Sequence, residues 1–334
     1  MIIESILQEK LENNMVQCNV CNHRCNIANG KYGFCFTRKN NNGKLYSCNY
    51  GVISSAAVDP IEKKPLYHFL PSSLSYSLGG LGCNMRCLNC QNYSISQKIG
   101  EGSRTCEILP KTAVENAINS NCQSISWTYN EPTMYLEYTL ETAEISHKSN
   151  LKNIYVSNGY MSEEALKLLI PKIDAFNIDL KSMSNQFYKD ICQATVDPIL
   201  DNLKVIYKNK KHLEITNLLI EGFNDSDELI KALLEFIANE LGNNVPIHFS
   251  RFFPYYKMED VPPTNIAKLK RTKELAIEFG LQYVYLGNVP DNQNSHCPNC
   301  GELLIERKGY NISDKNKINN NKCVSCGEKL NFYF

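Results

Sequence analysis

Hydrophobic and polar positions alternate along most of the chain in the manner of repeated βα units. Short apolar runs recur at intervals of about thirty residues and alternate with amphipathic runs of helical period. The apolar runs predict seven strands, at residues 74–78, 124–128, 154–157, 175–180, 213–218, 247–252 and 283–286. The amphipathic runs predict helices that include residues 112–119, 134–148, 163–170, 227–241 and 266–279.

This alternation predicts an α/β fold with a parallel sheet, in the form of an open or partial (β/α) barrel. We assign the barrel to residues 71–290, a cysteine-rich metal-knuckle segment with its linker to residues 1–70, and a zinc-ribbon-like segment to residues 291–334. Residues 59–69 contain two prolines and mixed charges, which predict a loop before the first strand. In such barrels the chemistry lies at the carboxyl ends of the strands.

The charge balance argues against partners recognised by electrostatics. The 334 residues contain 35 lysines and arginines and 35 aspartates and glutamates, so there is no basic footprint for nucleic acid or for an anionic membrane. No apolar stretch has membrane-spanning length, and the N-terminus is too polar for a signal peptide. We therefore expect a cytoplasmic protein, in which fifteen cysteines indicate metal binding rather than disulfides.

Three of the cysteines, Cys83, Cys87 and Cys90, follow the first predicted strand in a glycine-rich loop. Their C-x3-C-x2-C spacing cannot fill a tetrahedral zinc site without a fourth ligand from elsewhere. On a four-iron cluster the same three thiolates leave one iron without a protein ligand, and that iron is open for chemistry. The alternatives are three reduced cysteines that cluster by chance, or part of a zinc knuckle.

Further polar residues fall at the ends of the later strands, and we predict that they line a pocket above the packed barrel. These candidates are Glu131, Asn158, Asp179, Lys181, His248 and Arg251. Structural alternatives exist for each of them. Glu131 could start a helix, Asn158 could belong to a simple turn, and Asp179 could form an ion pair with Lys181, two residues along an extended segment. For the two candidates on the sixth strand the pattern does not decide which one faces the pocket.

The remaining cysteine groups lie near the two ends of the chain. The N-terminal group could hold zinc or another structural metal, could hold a second iron–sulfur cluster, or could remain unliganded. It consists of Cys18, Cys21, Cys25 and Cys35. The C-terminal group has two C-x2-C pairs, each followed by glycine, which is a strong zinc-ribbon pattern with a redox or cluster role as its alternative. It consists of Cys297, Cys300, Cys323 and Cys326.

Together these motifs resemble the radical S-adenosylmethionine (SAM) enzymes, and more closely their AmmeMemoRadiSam group, which is related to the pyruvate formate-lyase-activating enzymes. The resemblance rests on the loop at residues 82–92, the N-terminal knuckle, and the segments at 59–65, 128–132, 157–160 and 285–288. One motif departs from the superfamily pattern, because Tyr129 and Asn130 stand where two glycines would precede Glu131 and Pro132.

The resemblance implies a 4Fe-4S cluster on the three clustered cysteines and SAM bound to its open iron. It implies that Glu131 accepts a hydrogen bond from the ammonium of SAM and that Asn158 lies beside SAM. Asp179 and Lys181 would contact its ribose or its carboxylate. Structural zinc is expected at the C-terminal cysteines.

We therefore predict an activase-like oxidoreductase of the radical SAM type. An electron from the reduced cluster would cleave SAM, and the 5′-deoxyadenosyl radical would abstract hydrogen from an unidentified substrate, either a protein or a small molecule. Its partners would be SAM, that substrate and an electron donor. The competing hypothesis is a non-enzymatic electron carrier or metal-ribbon adaptor, which does not need an open iron.

Overall fold

The computed structural model describes residues 1–97 and 104–334, and an eight-stranded sheet forms its centre. The strands are β1 (Ser55–Pro60), β2 (Leu74–Gly79), β3 (Ser124–Trp127), β4 (Lys152–Ser157), β5 (Ala175–Asp179), β6 (His212–Leu219), β7 (Ile247–Arg251) and β8 (Val284–Gly287). They follow one another across the sheet in chain order. All neighbours are parallel except β1, which is antiparallel to β2. In the described residues β1 and β8 are free edges, so the predicted α/β class and open barrel are confirmed.

Helices connect the strands at the positions that the amphipathic runs predict, with one addition. They are α1 (Pro110–Asn119), α2 (Leu136–Lys148), α3 (Glu163–Leu169), α4 (Asp197–Lys208), α5 (Asp227–Phe236) and α6 (Ile266–Glu278). Single turns lie at Ile61–Lys63, Tyr93–Ser96, Pro132–Tyr135, Asn185–Phe187, Tyr188–Cys192 and Ile237–Leu241. Helices α3 and α5 begin after Ser162 and Ser226, whose side chains accept a first-turn backbone N–H. The sequence analysis gives no bounds for α4, which lies between β5 and β6.

The sequence also did not predict β1, because its residues are small or polar and end in a proline. Pro60 is tolerated there because an edge strand needs no backbone N–H on its open side. The prediction of a loop over residues 59–69 is therefore wrong at its start, where Asp59 and Pro60 pair with β2. This pairing crosses residue 70, where the sequence analysis places a segment boundary.

Between β1 and β2 the chain crosses the opposite end of the sheet from the carboxyl edge, where Glu214 holds it. Glu214 is fully buried near the start of β6 and accepts hydrogen bonds from the backbone N–H groups of Tyr67 (2.9 Å) and His68 (2.8 Å). A buried carboxylate is tolerated only when donors surround it in this way.

Two smaller β regions flank the sheet. At the N-terminus, antiparallel strands lie at Ile3–Glu4, Gln8–Lys10, Val16–Cys18, Asn26–Ile27, Arg38–Asn41 and Lys44–Ser47, while Val52–Ile53 pairs with Cys106–Glu107. At the C-terminus, strands lie at Ser295–His296, Leu303–Lys308, Asn311–Asp314, Ile318–Asn319 and Lys322–Cys323. The C-terminal region has its own small apolar core. None of the helices in the described residues has the length and apolar character needed to cross a membrane.

Candidate active site

A polar cleft of about 230 Å³ opens at the carboxyl edge of the central sheet. It brings together residues that follow five different strands, β2 to β6. Seven of the predicted site residues line it: Cys83, Cys87, Cys90, Glu131, Asn158, Asp179 and Lys181. The structure therefore brings these seven residues together at the strand ends, and their roles in binding stay predictions.

The cysteine loop after β2 is held in place by Asn130, a residue whose role the sequence did not indicate. Its side-chain amide accepts a hydrogen bond from the N–H of Gly80 (3.0 Å) and donates one to the carbonyl of Gly82 (2.7 Å). Gly80 cannot carry a side chain, because a Cβ would lie 2.6 Å from the ring of Tyr135. At this position the superfamily pattern has a glycine, which would let the backbone approach SAM closely. Asn130 instead forms hydrogen bonds with the cysteine loop.

Tyr129 adopts a backbone conformation that normally favours glycine, with φ of +71°. Its hydroxyl donates to Asp59 Oδ2 at 2.6 Å, and the ammonium of Lys64 lies 4.8 Å from its ring centroid. Lys64 is also buried and paired with Asp59 at 2.6 Å. The segment at residues 59–65 therefore supports the rim of the cleft from β1.

Donors around Cys83 suit a thiolate that is bound to a cluster. The N–H of Met85 lies 3.3 Å from its sulfur and Nδ2 of Asn158 lies 3.7 Å away. N–H groups directed at cysteine sulfurs are one of the means by which proteins tune iron–sulfur centres. In the described residues these three sulfurs are not all within 4.8 Å of one another, unlike those at the C-terminus. The three thiols and the distances between their sulfurs therefore suit an iron–sulfur cluster better than a single metal ion.

A fourth thiol lies beside this loop, and the sequence did not indicate it. Cys192 is buried at the end of the turn Tyr188–Cys192, and its carbonyl accepts the N–H of Arg86 at 2.8 Å. Its side chain hydrogen-bonds that of Cys87, which lowers the pKa of the Cys87 thiol to about 7 against the opposing effect of burial. The same contact and burial raise the pKa of Cys192 well above its usual value.

Glu131 is buried beneath the cleft, and its carboxylate organises the backbone around it. It accepts hydrogen bonds from the N–H of Thr133 (3.1 Å), the hydroxyl of Ser157 (2.9 Å) and the N–H of Asn158 (2.9 Å). Burial raises its pKa, and these donors oppose that effect. The structure therefore gives Glu131 a complete set of protein partners and only 2% exposure.

Asp179 and Lys181 form an ion pair of 2.8 Å at the end of β5. Burial lowers the pKa of Lys181, but Asp179 and the thiols of Cys87 and Cys192 outweigh it and raise that pKa well above its usual value. The Asp179 side chain is 38% exposed. It is therefore the member of the pair with free acceptor capacity toward the cleft.

The structure does not bring His248 or Arg251 into the lining of this cleft as described. His248 is buried on β7 and bonds Glu214 at 2.6 Å, near the other end of the sheet. Arg251 donates from Nε to the carbonyl of Thr264 at 2.7 Å and lies over the ring of Phe253. Both have structural partners, which is the alternative that the sequence left open for them.

The two terminal cysteine groups differ in geometry. The C-terminal sulfurs are all within 4.8 Å of one another, with Cys297 at 3.6 Å from Cys326 and Cys300 at 3.7 Å from Cys323. A tetrahedron with Zn–S bonds of 2.3 Å has sulfurs about 3.8 Å apart, so this group fits one ion. The N-terminal group surrounds a separate enclosed cavity. All fifteen cysteines lie in the described residues and are free thiols.

Comparisons with known proteins agree with this geometry. Residues 78–237 match the family model described as the radical SAM superfamily. An uncharacterized protein of Methanocaldococcus jannaschii is 45% identical over 98% of both chains. Pyruvate formate-lyase 1-activating enzyme of Escherichia coli is 21% identical over 61% of this chain and 89% of its own. The crystal structure of a radical SAM methyltransferase from Sphaerobacter thermophilus shares the fold, with a TM-score of 0.50 and 13% identity over 65% of this chain and 67% of that one.

The fold and the site together define the class of protein. It is an α/β protein whose open, mostly parallel sheet carries three clustered cysteines at its carboxyl edge. Residues 78–237 of the chain form a domain of the radical SAM superfamily, and the chain is a distant relative of the pyruvate formate-lyase-activating enzymes. Membership implies a 4Fe-4S cluster and SAM as cofactors.

Proposed function

We propose that this protein cleaves SAM reductively at a cluster held by Cys83, Cys87 and Cys90, and that the 5′-deoxyadenosyl radical abstracts hydrogen from a substrate. The observation that supports this proposal most directly is that these thiols lie in one cleft with polar side chains from the ends of β3, β4 and β5. When bound, such a cluster supplies the electron that breaks a carbon–sulfur bond of SAM. Within the superfamily we assign the chain to the AmmeMemoRadiSam group, on the motifs given above.

The residues of the cleft have distinct roles in this proposal. Asp179, with its exposed carboxylate, accepts hydrogen bonds from the ribose of SAM, and Lys181 holds Asp179 in place through the ion pair. Asn158 holds the cysteine loop through Asn84 Oδ1 at 2.7 Å. Glu131 fixes the backbone of Asn158 and acts as a positioning residue. We do not include His248 or Arg251 in SAM binding.

For the substrate we favour a protein. The E. coli relative is named for the enzyme that it activates, and a second relative, from Clostridium scatologenes, is a 4-hydroxyphenylacetate decarboxylase activating enzyme that is 28% identical over 45% of this chain. The reaction would then be activation of a partner protein by hydrogen abstraction, with an electron donor as third partner. We expect the protein to carry out this reaction in the cytoplasm.

One observation favours the competing function, an electron carrier. Cys192 lies close enough to hydrogen-bond Cys87, and a fourth thiolate on the cluster would close the iron that SAM needs. An iron–sulfur protein with four cysteine ligands transfers electrons without binding a cosubstrate.

Addition of SAM to the reduced protein separates the two functions. We expect the electron paramagnetic resonance (EPR) spectrum of the cluster to change and 5′-deoxyadenosine to form. Asp179→Asn should weaken SAM binding about ten- to 150-fold, because it removes a charged acceptor worth about 1.5–3 kcal/mol, while Asp201→Asn on the surface of α4 should not. A spectrum that SAM leaves unchanged would support the carrier.

We also propose one structural zinc ion on Cys297, Cys300, Cys323 and Cys326. The purified protein should contain it, and Cys300→Ser should lose it, because three thiolates bind zinc less tightly than four. Metal analysis by mass spectrometry measures this, with Cys106→Ser, an exposed cysteine elsewhere, as the matched control. Iron in place of zinc at the C-terminal site of the wild-type protein would contradict the assignment.

A further inference from the structure

The four N-terminal cysteines converge on one enclosed cavity beside the cysteine loop of the active site. The thiols of this N-terminal site are Cys18, Cys21, Cys25 and Cys35, and they line the cavity together with apolar side chains. Gly33 also lines the cavity, and a Cβ there would lie 3.1 Å from Cδ1 of Ile27. The cavity therefore has four potential soft ligands, and its polar lining residues are His23, Arg38 and Asn84.

The spacing of these thiols is too wide for a single ion. In residues 1–97 and 104–334, only the C-terminal cysteines bring three or more ligand atoms within 4.8 Å of one another. A zinc tetrathiolate needs sulfurs about 3.8 Å apart. A cluster holds its thiolates farther apart, because iron and sulfide ions lie between them.

Two buried donors at the same cavity have no partner. They are Nε of Arg38 and Nδ2 of Asn84, on side chains that are 1% and 0% exposed and that both line the cavity. Buried donors are normally satisfied. The sulfides and thiolates of a cluster are acceptors of this kind, and the rest of the Arg38 guanidinium is already paired with Glu137 at 2.6 Å. His23 is not available as a ligand through Nε2, which bonds the carbonyl of Asn84 at 2.6 Å.

We propose that the N-terminal site binds a second iron–sulfur cluster of the 4Fe-4S type, with Arg38 and Asn84 as hydrogen-bond donors to its sulfurs. Asn84 also forms the wall between this site and the active site. It follows Cys83 in the chain, and its Oδ1 accepts from Asn158, whose Nδ2 lies 3.7 Å from the sulfur of Cys83. The two clusters are therefore neighbours.

Iron and sulfide analysis after anaerobic reconstitution tests this proposal without any variant. We expect about eight irons and eight sulfides per chain in the wild-type protein, which corresponds to two four-iron clusters. About four irons together with two zincs would overturn the proposal. Mössbauer spectroscopy should assign all of the iron to 4Fe-4S centres.

Two variants then locate the second cluster. Cys83→Ala/Cys87→Ala/Cys90→Ala should retain about four irons, and Cys21→Ala/Cys25→Ala should retain the other four, with Cys122→Ser as a control that keeps all eight. Zinc in the N-terminal site of the triple variant would overturn the proposal. In the reduced wild-type protein the EPR signals should be broadened by coupling between the clusters, and a spectrum equal to the sum of the variants' spectra would contradict their shared wall.

Discussion

Simultaneous replacement of Cys83, Cys87 and Cys90 with alanine is expected to abolish the formation of 5′-deoxyadenosine and methionine from SAM. The three thiols line the same cleft, and they are the ligands that we propose for the active-site cluster. Without them there is no path for an electron to the sulfonium, so the loss should be complete rather than partial. Anaerobic assay with dithionite and SAM, followed by chromatography of the products, measures it.

The matched control is Cys192→Ser, which changes a buried cysteine beside the same loop. Under the proposed function Cys192 only contacts Cys87, so this variant should keep the active-site cluster and continue to cleave SAM. Loss of that cluster in Cys192→Ser, to the same extent as in the triple variant, would mean that a fourth thiolate closes it. Product formation by the triple variant would contradict the assignment of the cluster to these cysteines.

Most of the cleft could be predicted from the sequence because the carboxyl ends of parallel strands lie at the same edge of the sheet. The polar residues after four of the apolar runs meet there, among them Glu131, Asn158 and Asp179. The same argument could not place His248, because a buried histidine and a pocket histidine leave the same pattern along a strand. Its partner Glu214 is on the neighbouring strand β6, a contact that only strand register reveals.

The residues that sequence analysis missed act through contacts distant in the chain. Asn130 bonds the loop at Gly80 and Gly82, about fifty positions earlier, and Cys192 reaches Cys87 across more than a hundred. Neither belongs to a local motif. Cysteine spacing likewise left the metals undecided at the N-terminus, because the distances between sulfurs depend on how the loops fold. The C-terminal sulfurs all lie within 4.8 Å of one another, and the N-terminal sulfurs do not.

Glu131→Ala is expected to lower the free energy of unfolding and the affinity for SAM together. The carboxylate accepts the N–H groups of Thr133 and Asn158 and the hydroxyl of Ser157, all in a buried position. Donors left unsatisfied in burial cost about 1–3 kcal/mol each, so we expect a loss of about 3 kcal/mol or more in urea denaturation. Glu131→Gln should recover only part of it, since an amide N–H₂ would face one of these donors. Glu235→Ala, on the exposed side of α5, should change neither quantity.

The two measurements on Glu131 variants also decide how the residue acts. If Glu131 positions Asn158 and the cysteine loop, affinity for SAM should fall in proportion to stability, and Ser157→Ala should give a smaller loss of the same kind because it removes a donor to the same carboxylate. If Glu131 instead binds the ammonium of SAM directly, Glu131→Gln should lose affinity while Ser157→Ala retains it. Glu131 is only 2% exposed beneath the cleft, so we expect the first outcome. Binding of SAM would then depend on the Glu131 carboxylate, although SAM does not contact that carboxylate.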